Sequence, residues 1–320
     1  MSKALPQEKS RLQVEHLLSH LKTARCGVRS QSAALRIVYL AIVAACLTLV
    51  WIPMTQAKSQ NSVPARTVRV AVCQILCIDS DVEGNLRRVE YALESVAKQQ
   101  AQIACFPETA LLGWINPEAH RLAQPIPGPL SDRIADLARK YKLMISIGIC
   151  EKVEDKLYDA AILVDADGRI LHKHRKINTL VELLEPPYAR GLSDDVGVVE
   201  TPFGRVGILI CADTFKGELL QRLADQSPDL ALVPYGWAAD PHEWPEHGQE
   251  LAKLVSIVAK RLNCPVVGTD LVGSISAGPW KGKTYGGQSV VADHDGSQLG
   301  VLKDRDVDLR IFELTLRTPG

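Results

Sequence analysis

Among the residues that could do covalent chemistry, Cys211 stands out because it closes the strand-forming run "RVGILIC", after which come an alanine, an aspartate and polar sequence. A free cysteine inside an apolar strand behaves as a small hydrophobe, but one at a strand's carboxyl end stands where α/β sheets bind ligands. Two other stretches end in the same way. Glu108 follows the short apolar run in "AQIACFPET", and Lys176 ends "ILHKHRK". A thiol, a carboxylate and an amine at three strand ends can converge over one region of sheet. They supply what nucleophilic acyl transfer needs: an attacking thiol, a base for its proton, and a cation near the developing oxyanion. Taken singly, each has a plainer reading, as a packing cysteine, an exposed loop carboxylate and a solvated lysine in a basic run. The combination outweighs those readings.

The elements that must position these groups alternate from Thr67 onward. "TVRVAVCQ" (67–74) is β-branched and alternating, as a half-buried strand is. Asp79, Ser80 and Asp81 offer caps for a helix whose apolar residues Leu86, Val89, Leu93 and Val96 recur at three-and-four spacing. "AQIACFPET" is a short strand stopped by Pro107. "LSDRIADLARKYK" predicts a helix with Ser131 as N-cap, leading into the uncharged strand "LMISIGIC". "LYDAAILVDADGRILHKHRK" predicts two strands joined by an Asp-Gly turn at Asp167 and Gly168. A similar order recurs: a hairpin turning at Pro202 to Gly204, a helix from Lys216 to Asp225, the strand "DLALVPYGW", a helix from Trp244 to Leu262, the strand "CPVVGTD", and a closing hairpin and strand. Many strands alternating with few helices predict an α/β fold layered as a sandwich of two sheets.

Composition narrows the partners. Lys plus Arg equals Asp plus Glu at 37 each, which gives no electrostatic footprint for nucleic acid. The eight cysteines show no C-x-x-C spacing and are scattered over a long chain, against a zinc site or a disulfide framework. Cys73, Cys77, Cys105, Cys150 and Cys264 lie in or beside apolar strands and read as structural. In "HEWPEH" the histidines His242 and His247 are five apart, whereas the helical zinc motif needs four, and Pro245 interrupts the helix. His172 and His174 alternate on one strand and read as surface residues. No metal or other cofactor is expected.

The amino-terminal part stands apart. Residues 37–54, "IVYLAIVAACLTLVWIPM", carry no charge and approach the length of a membrane span. Arg36 precedes them directly, with Lys22, Arg25 and Arg29 upstream, so the positive-inside rule keeps residues 1–36 cytoplasmic and exports the chain beyond Met54. Two readings stand: an uncleaved signal-anchor, giving a membrane-anchored protein with an extracytoplasmic catalytic domain, or a signal peptide cut near Ala57, giving a secreted or periplasmic one. Residues 55–66, rich in Gln, Ser and Pro, read as a linker before a catalytic domain over 67–316.

In this order, "FPET" with Glu108, "HRKIN" with Lys176 and "GILIC" with Cys211 resemble the nitrilase superfamily of carbon-nitrogen hydrolases, as do "VAVCQ" and "GQSVVADHDG" towards the domain's edges. The resemblance implies a four-layer αββα sandwich and a Glu108, Lys176, Cys211 triad that attacks a small-molecule amide. It also implies a supporting glutamate after the lysine, for which "VELLEPPYARG" offers Glu185 or Glu182. The backbone N–H of Ala212 becomes an oxyanion donor, Tyr188 and Trp237 become pocket residues, and a homodimer or higher homo-oligomer is expected. Nitrile-cleaving members usually carry Trp-Glu after the cysteine, where this chain has Ala212 and Asp213. The resemblance therefore implies the amidase-like branch, acting on an amide or carbamoyl amide. The alternatives are a thiol-dependent acyltransferase, a nitrilase, and a non-catalytic binding protein of the same fold.

Overall fold

The structure, a computed structural model, describes residues 66–316. The apolar segment 37–54, its flanks and all but the last residue of the linker lie outside the described residues. Among the described residues no helix is long and apolar enough to cross a membrane.

The first half builds one sheet. Strand β1 (Arg66–Gln74) leads to helix α1 (Val82–Lys98), β2 (Ile103–Cys105), helix α2 (Pro129–Tyr141), β3 (Met144–Val153), β4 (Lys156–Val164) and β5 (Ile170–Arg175). Asp81 caps α1 by accepting from the Gly84 N–H, and the predicted stripe Leu86, Val89, Leu93 and Val96 is buried. For α2 the cap differs from the expectation. Gly128 occupies the N-cap, Pro129 takes the first turn, where its missing N–H costs nothing, and Ser131 closes the turn through its hydroxyl on the Gly128 N–H.

The second half repeats the plan: β6 (Val198–Thr201), β7 (Gly204–Ile208), helix α3 (Gly217–Ala224), β8 (Leu230–Pro234), β9 (Ala238–Ala239), helix α4 (Glu246–Leu262), β10 (Val266–Thr269), β11 (Val272–Ser274), β12 (Thr284–Gly286), β13 (Val290–Ala292), β14 (Gln298–Val301) and β15 (Asp308–Leu316). Two six-stranded sheets result, ordered β15-β1-β2-β3-β4-β5 and β14-β13-β10-β8-β7-β6. The chain's last strand thus crosses back to pair with its first, Arg66 opposite Leu316.

Strand alternation assigns the layers. In β1, Val68, Val70 and Val72 join a core shared with Val206, Ile208, Leu232 and Val266 of the other sheet, whereas Ala71 and Cys73 face α1 and α2. This is the period of two expected of a pleated strand buried on both faces. Helices α3 and α4 add Leu219, Leu223, Leu251 and Val255 to the outer face of the second sheet. The order of layers is helix, sheet, sheet, helix. A small third sheet, β11-β12-β9, is the one architectural feature that the sequence pattern did not announce.

Topology brings three chain segments to one edge. β2 and β3 run parallel, β4 turns back, and β5 returns parallel to β3. The residues after β2 and after β5 therefore emerge from the same end of the first sheet. In the second sheet β7, β8 and β10 are mutually parallel, so the segments after Ile208, Pro234 and Thr269 also share an end.

Candidate active site

Cys211 does not end its strand directly. β7 stops at Ile208, and after Leu209 and Ile210 the chain enters a tight 3-10 turn over Cys211–Phe215. Cys211 opens this turn with φ at +41°, a left-handed conformation that an L-residue with a Cβ adopts at a cost. The Thr214 hydroxyl donates to the Cys211 carbonyl at 2.6 Å and holds the turn closed.

Glu108 is fully buried on the loop after β2. Its backbone N–H donates to the Tyr235 carbonyl at 3.3 Å, which joins the loop to the segment after β8. The backbone here lies hard against β3. A Cβ placed on Gly148 would sit 2.5 Å from the Glu108 Cα, so the strand needs glycine at that point. One carboxylate oxygen, Oε1, accepts from the Lys176 ammonium, while Oε2 is buried with no hydrogen-bond partner.

Lys176 extends β5 by one residue, its backbone N–H donating to the Asp159 carbonyl at 2.8 Å. The side chain is 1% exposed, with the ammonium 5.4 Å from the centre of the Trp114 ring. It also lies 3.3 Å from Oδ2 of Asp159, itself fully buried on β4. Burial pushes the Lys176 ammonium down, but the charges of Glu108 and Asp159, with a smaller share from Cys211, more than reverse this and hold it charged.

The thiol completes the group. Burial first, then the Glu108 charge, push the Cys211 thiol well above its ordinary range, while Lys176 and the Gly236 N–H that bonds the sulfur pull the other way. The balance favours the thiol form, and a thiol that is to attack needs a base for its proton. Gly236 also borders the free oxygen of Glu108: a Cβ there would sit 2.9 Å from Oε2. Gly236 thus borders the unpartnered oxygen while its N–H pulls the thiol down.

Other expected site residues fall out differently. Glu182 and Glu185 are both exposed, and the structure brings neither to the lysine. The buried residues of that segment are Leu183, Leu184 and Tyr188, so the apolar side chains turn inward and the two carboxylates outward. The second carboxylate on Lys176 is Asp159. Tyr188 is buried with its hydroxyl 4.0 Å from the Cys150 sulfur, and burial raises its phenol. Trp237 is buried edge-on to Phe215, at the end of the cysteine's turn, with ring centres 5.9 Å apart. Ala212 is wholly buried, its carbonyl accepting from the Asn178 side chain at 2.8 Å. His174 is not a surface residue as expected: it is wholly buried on β5, Nε2 lying 2.9 Å from Oδ2 of Asp213.

A match to the carbon-nitrogen hydrolase family model covers residues 69–318, most of the chain. The chain belongs to that family. Curated relatives include the bifunctional nitrilase/nitrile hydratase NIT4A of Lupinus angustifolius, 33% identical over 46% of this chain and 47% of that protein. Another is the "Hydrolase in pqqF 5'region" of Pseudomonas protegens, 35% identical over 53% and 59%. The chain spans about half the length of the curated relatives it matches. Among solved structures, an amidase from Nesterenkonia sp. superposes with a TM-score of 0.66 at 20% identity, over 78% of this chain and 91% of that one. A carbon-nitrogen hydrolase from Helicobacter pylori gives 0.68 at 17% identity, over 77% and 89%. At these identities the likeness extends to the fold.

No structural role for Asp213 was read from the sequence. Its Oδ1 accepts from the N–H groups of Ile177 and Asn178 at 2.9 and 2.8 Å, and its Oδ2 from Ile210 at 3.2 Å. It ties the lysine's segment to the cysteine's turn. The signal in the sequence was its place two residues after Cys211, which by itself does not separate a clasp from an exposed turn aspartate.

Proposed function

We propose that this protein hydrolyses a small non-peptide amide or carbamoyl amide, releasing ammonia or an amine, through a thioester on Cys211. The observation that carries the reading is the buried group itself: Cys211, Lys176 and Glu108 all lie in the interior, one glutamate oxygen bonds the lysine and the other has no partner.

The steps follow from those atoms. Oε2 of Glu108 takes the Sγ proton as sulfur attacks the amide carbon, forming the carbon–sulfur bond and a tetrahedral oxyanion. Lys176, with the Ala212 backbone N–H as second donor, stabilises that oxygen; one such donor is typically worth about 3 kcal/mol. The Glu108 acid then protonates the departing nitrogen, the carbon–nitrogen bond breaks and the thioester remains. Water, losing its proton to Glu108, adds to the thioester, and the acid leaves as the thiol recovers its proton.

The likeness to plant nitrilases supports a second reading, in which sulfur adds to a nitrile carbon. Ala212, without the bulky side chain usual in nitrile-cleaving relatives, favours the amide. The test is ammonia or amine release by the full chain from a panel of small amides, N-carbamoyl compounds and nitriles, with Cys211→Ala beside it. Release from amides or carbamoyl compounds that the variant lacks is the expected result. Release from nitriles alone selects the second reading. No release from any compound by folded protein rejects hydrolysis and favours a binding or acyl-transfer role.

A further inference from the structure

Two carboxyl groups, not one, face the single ammonium. Asp159 and Glu108 are both fully buried, and both bond Lys176. Both reach the same ammonium, so their charges lie close together. Two ionised carboxylates are acceptors only and cannot bond each other without a proton between them. Each keeps one buried oxygen with no donor, Oδ1 of Asp159 and Oε2 of Glu108. With both ionised, the closed site would carry one uncompensated negative charge even before the thiol reacts, an arrangement that burial strongly disfavours. One retained proton leaves an ammonium and a single negative charge.

We propose that Asp159 is a positioning residue of this site: held as the acid, it shares one proton with Glu108 and seats Lys176 between the two carboxyl groups. The proposal rests on the hydrolase reading above and deepens it: Glu108 remains the base, and Asp159 acts through the ammonium that both carboxyls hold. Burial, and after it the Glu108 charge, push Asp159 well above the usual carboxylate range, with Lys176 opposing. The other titratable groups near Asp159 are Cys150, across the β3–β4 ladder, and Tyr188. Burial keeps both of these neutral, and Cys211 is likewise raised. When the shared proton leaves at alkaline pH, a second negative charge faces the forming oxyanion and competes for Lys176, and the rate falls.

Asparagine reproduces the acid form, since its carbonyl can accept from Lys176 and its amide can donate to Glu108, yet it has no proton to lose. In the full chain, Asp159→Asn is expected to retain at least about ten times the neutral-pH kcat of Asp159→Leu, while the alkaline limb of its kcat/KM profile moves up from the wild-type position by about one pH unit or more. Asp159→Leu, of similar volume but without polar atoms, is expected to lower kcat about a hundredfold or more with KM within about threefold. Circular dichroism and thermal melts establish that both variants are folded. An asparagine variant with an unmoved alkaline limb, or one as inactive as the leucine variant, overturns the proposal. Haloacetamide labelling of Cys211, mapped by peptide mass, separates this from failure of the hydrolase reading. If wild type turns over no compound yet labels at Cys211, that reading fails. The positioning role is then read from labelling alone, which asparagine preserves and leucine slows.

Discussion

His174 and Asp213 meet at 2.9 Å with both side chains wholly buried, joining the strand that leads to Lys176 to the turn that begins with Cys211. A carboxylate can only accept, so Nε2 carries the proton in this contact. With the N–H groups of Ile177, Asn178 and Ile210, four donors converge on one side chain. Asp213→Ala leaves all four unsatisfied in the interior. At about 1–3 kcal/mol for each buried group left unpaired, with partial relaxation, a loss of several kcal/mol is expected. Urea unfolding measures that loss. Asp213→Asn keeps the shape and one acceptor but turns two donors towards N–H groups, so it too is destabilised, by less. In both, kcat is expected to fall more than KM rises, because what shifts is the lysine relative to the sulfur.

Lys176→Met removes the only cation that Glu108 and Asp159 touch among the described residues. Breaking a buried pair from one side typically costs 3–5 kcal/mol, which for a domain of this size lowers Tm by roughly 10 °C. The loss depends on pH with a definite sign. Asp159, which burial already raises above the usual carboxylate range, loses the ammonium that opposes that rise. The folded state then binds more protons than the unfolded state, and stability falls as pH rises from the unfolded pKa towards the folded one. The variant's deficit relative to wild type is therefore expected to be larger at pH 8 than at pH 5. A deficit equal at both would mean that the carboxyls are paired by something other than the lysine.

Much of this site was legible before any coordinates, and the remainder was hidden for identifiable causes. Glu108, Lys176 and Cys211 could be read because each follows an apolar run, and parallel strand order carries those ends to one edge. The β2, β5 and β7 segments do this. Asp159 could not be read, because it sits in the middle of "LYDAAILV", where one polar residue in a strand looks like a solvent-facing position. Only its pairing beside Lys176 turns it inward. Glu182 and Glu185 were favoured on position in the chain alone, and the inward turn of Leu183 and Leu184 places them outside. The small β9-β11-β12 sheet was missed because strands of two or three residues carry no usable periodicity.

At Gly148 the backbone of the Glu108 loop lies hard against a strand. An alanine Cβ would lie 2.5 Å from the Glu108 Cα, 2.7 Å from the Pro107 carbonyl and 2.8 Å from the Thr109 nitrogen, all backbone atoms with no rotamer to yield. Gly148→Ala is expected to displace the Glu108 loop, costing about 1–3 kcal/mol as overpacking does and lowering kcat at least tenfold. The control is Gly217→Ala, with nothing within 4 Å of the added carbon. It is expected to match wild type in both melting and turnover. An alanine at 148 that leaves kcat unchanged would show that the loop can give way without moving the carboxylate.

His247 stacks on Trp237 with ring centres 5.0 Å apart, and burial pulls its pKa down to about 4. His172 is pulled down to about 4 by burial as well, with the neighbouring His174 adding to the shift. Both groups are depressed relative to an unfolded histidine, so between about pH 4 and 6.5 the unfolded chain binds more protons than the folded one. Stability they confer is complete above about pH 6.5 and is lost as pH falls through the folded values. The midpoint of urea unfolding is therefore expected to decline from pH 7 to pH 4.5, and His247→Gln should make that decline shallower while lowering the midpoint at pH 7 through lost stacking. If the variant's midpoint falls with acid as steeply as the wild type's, His247 is already charged in the folded protein, and the apolar stacking on Trp237 does not set its protonation.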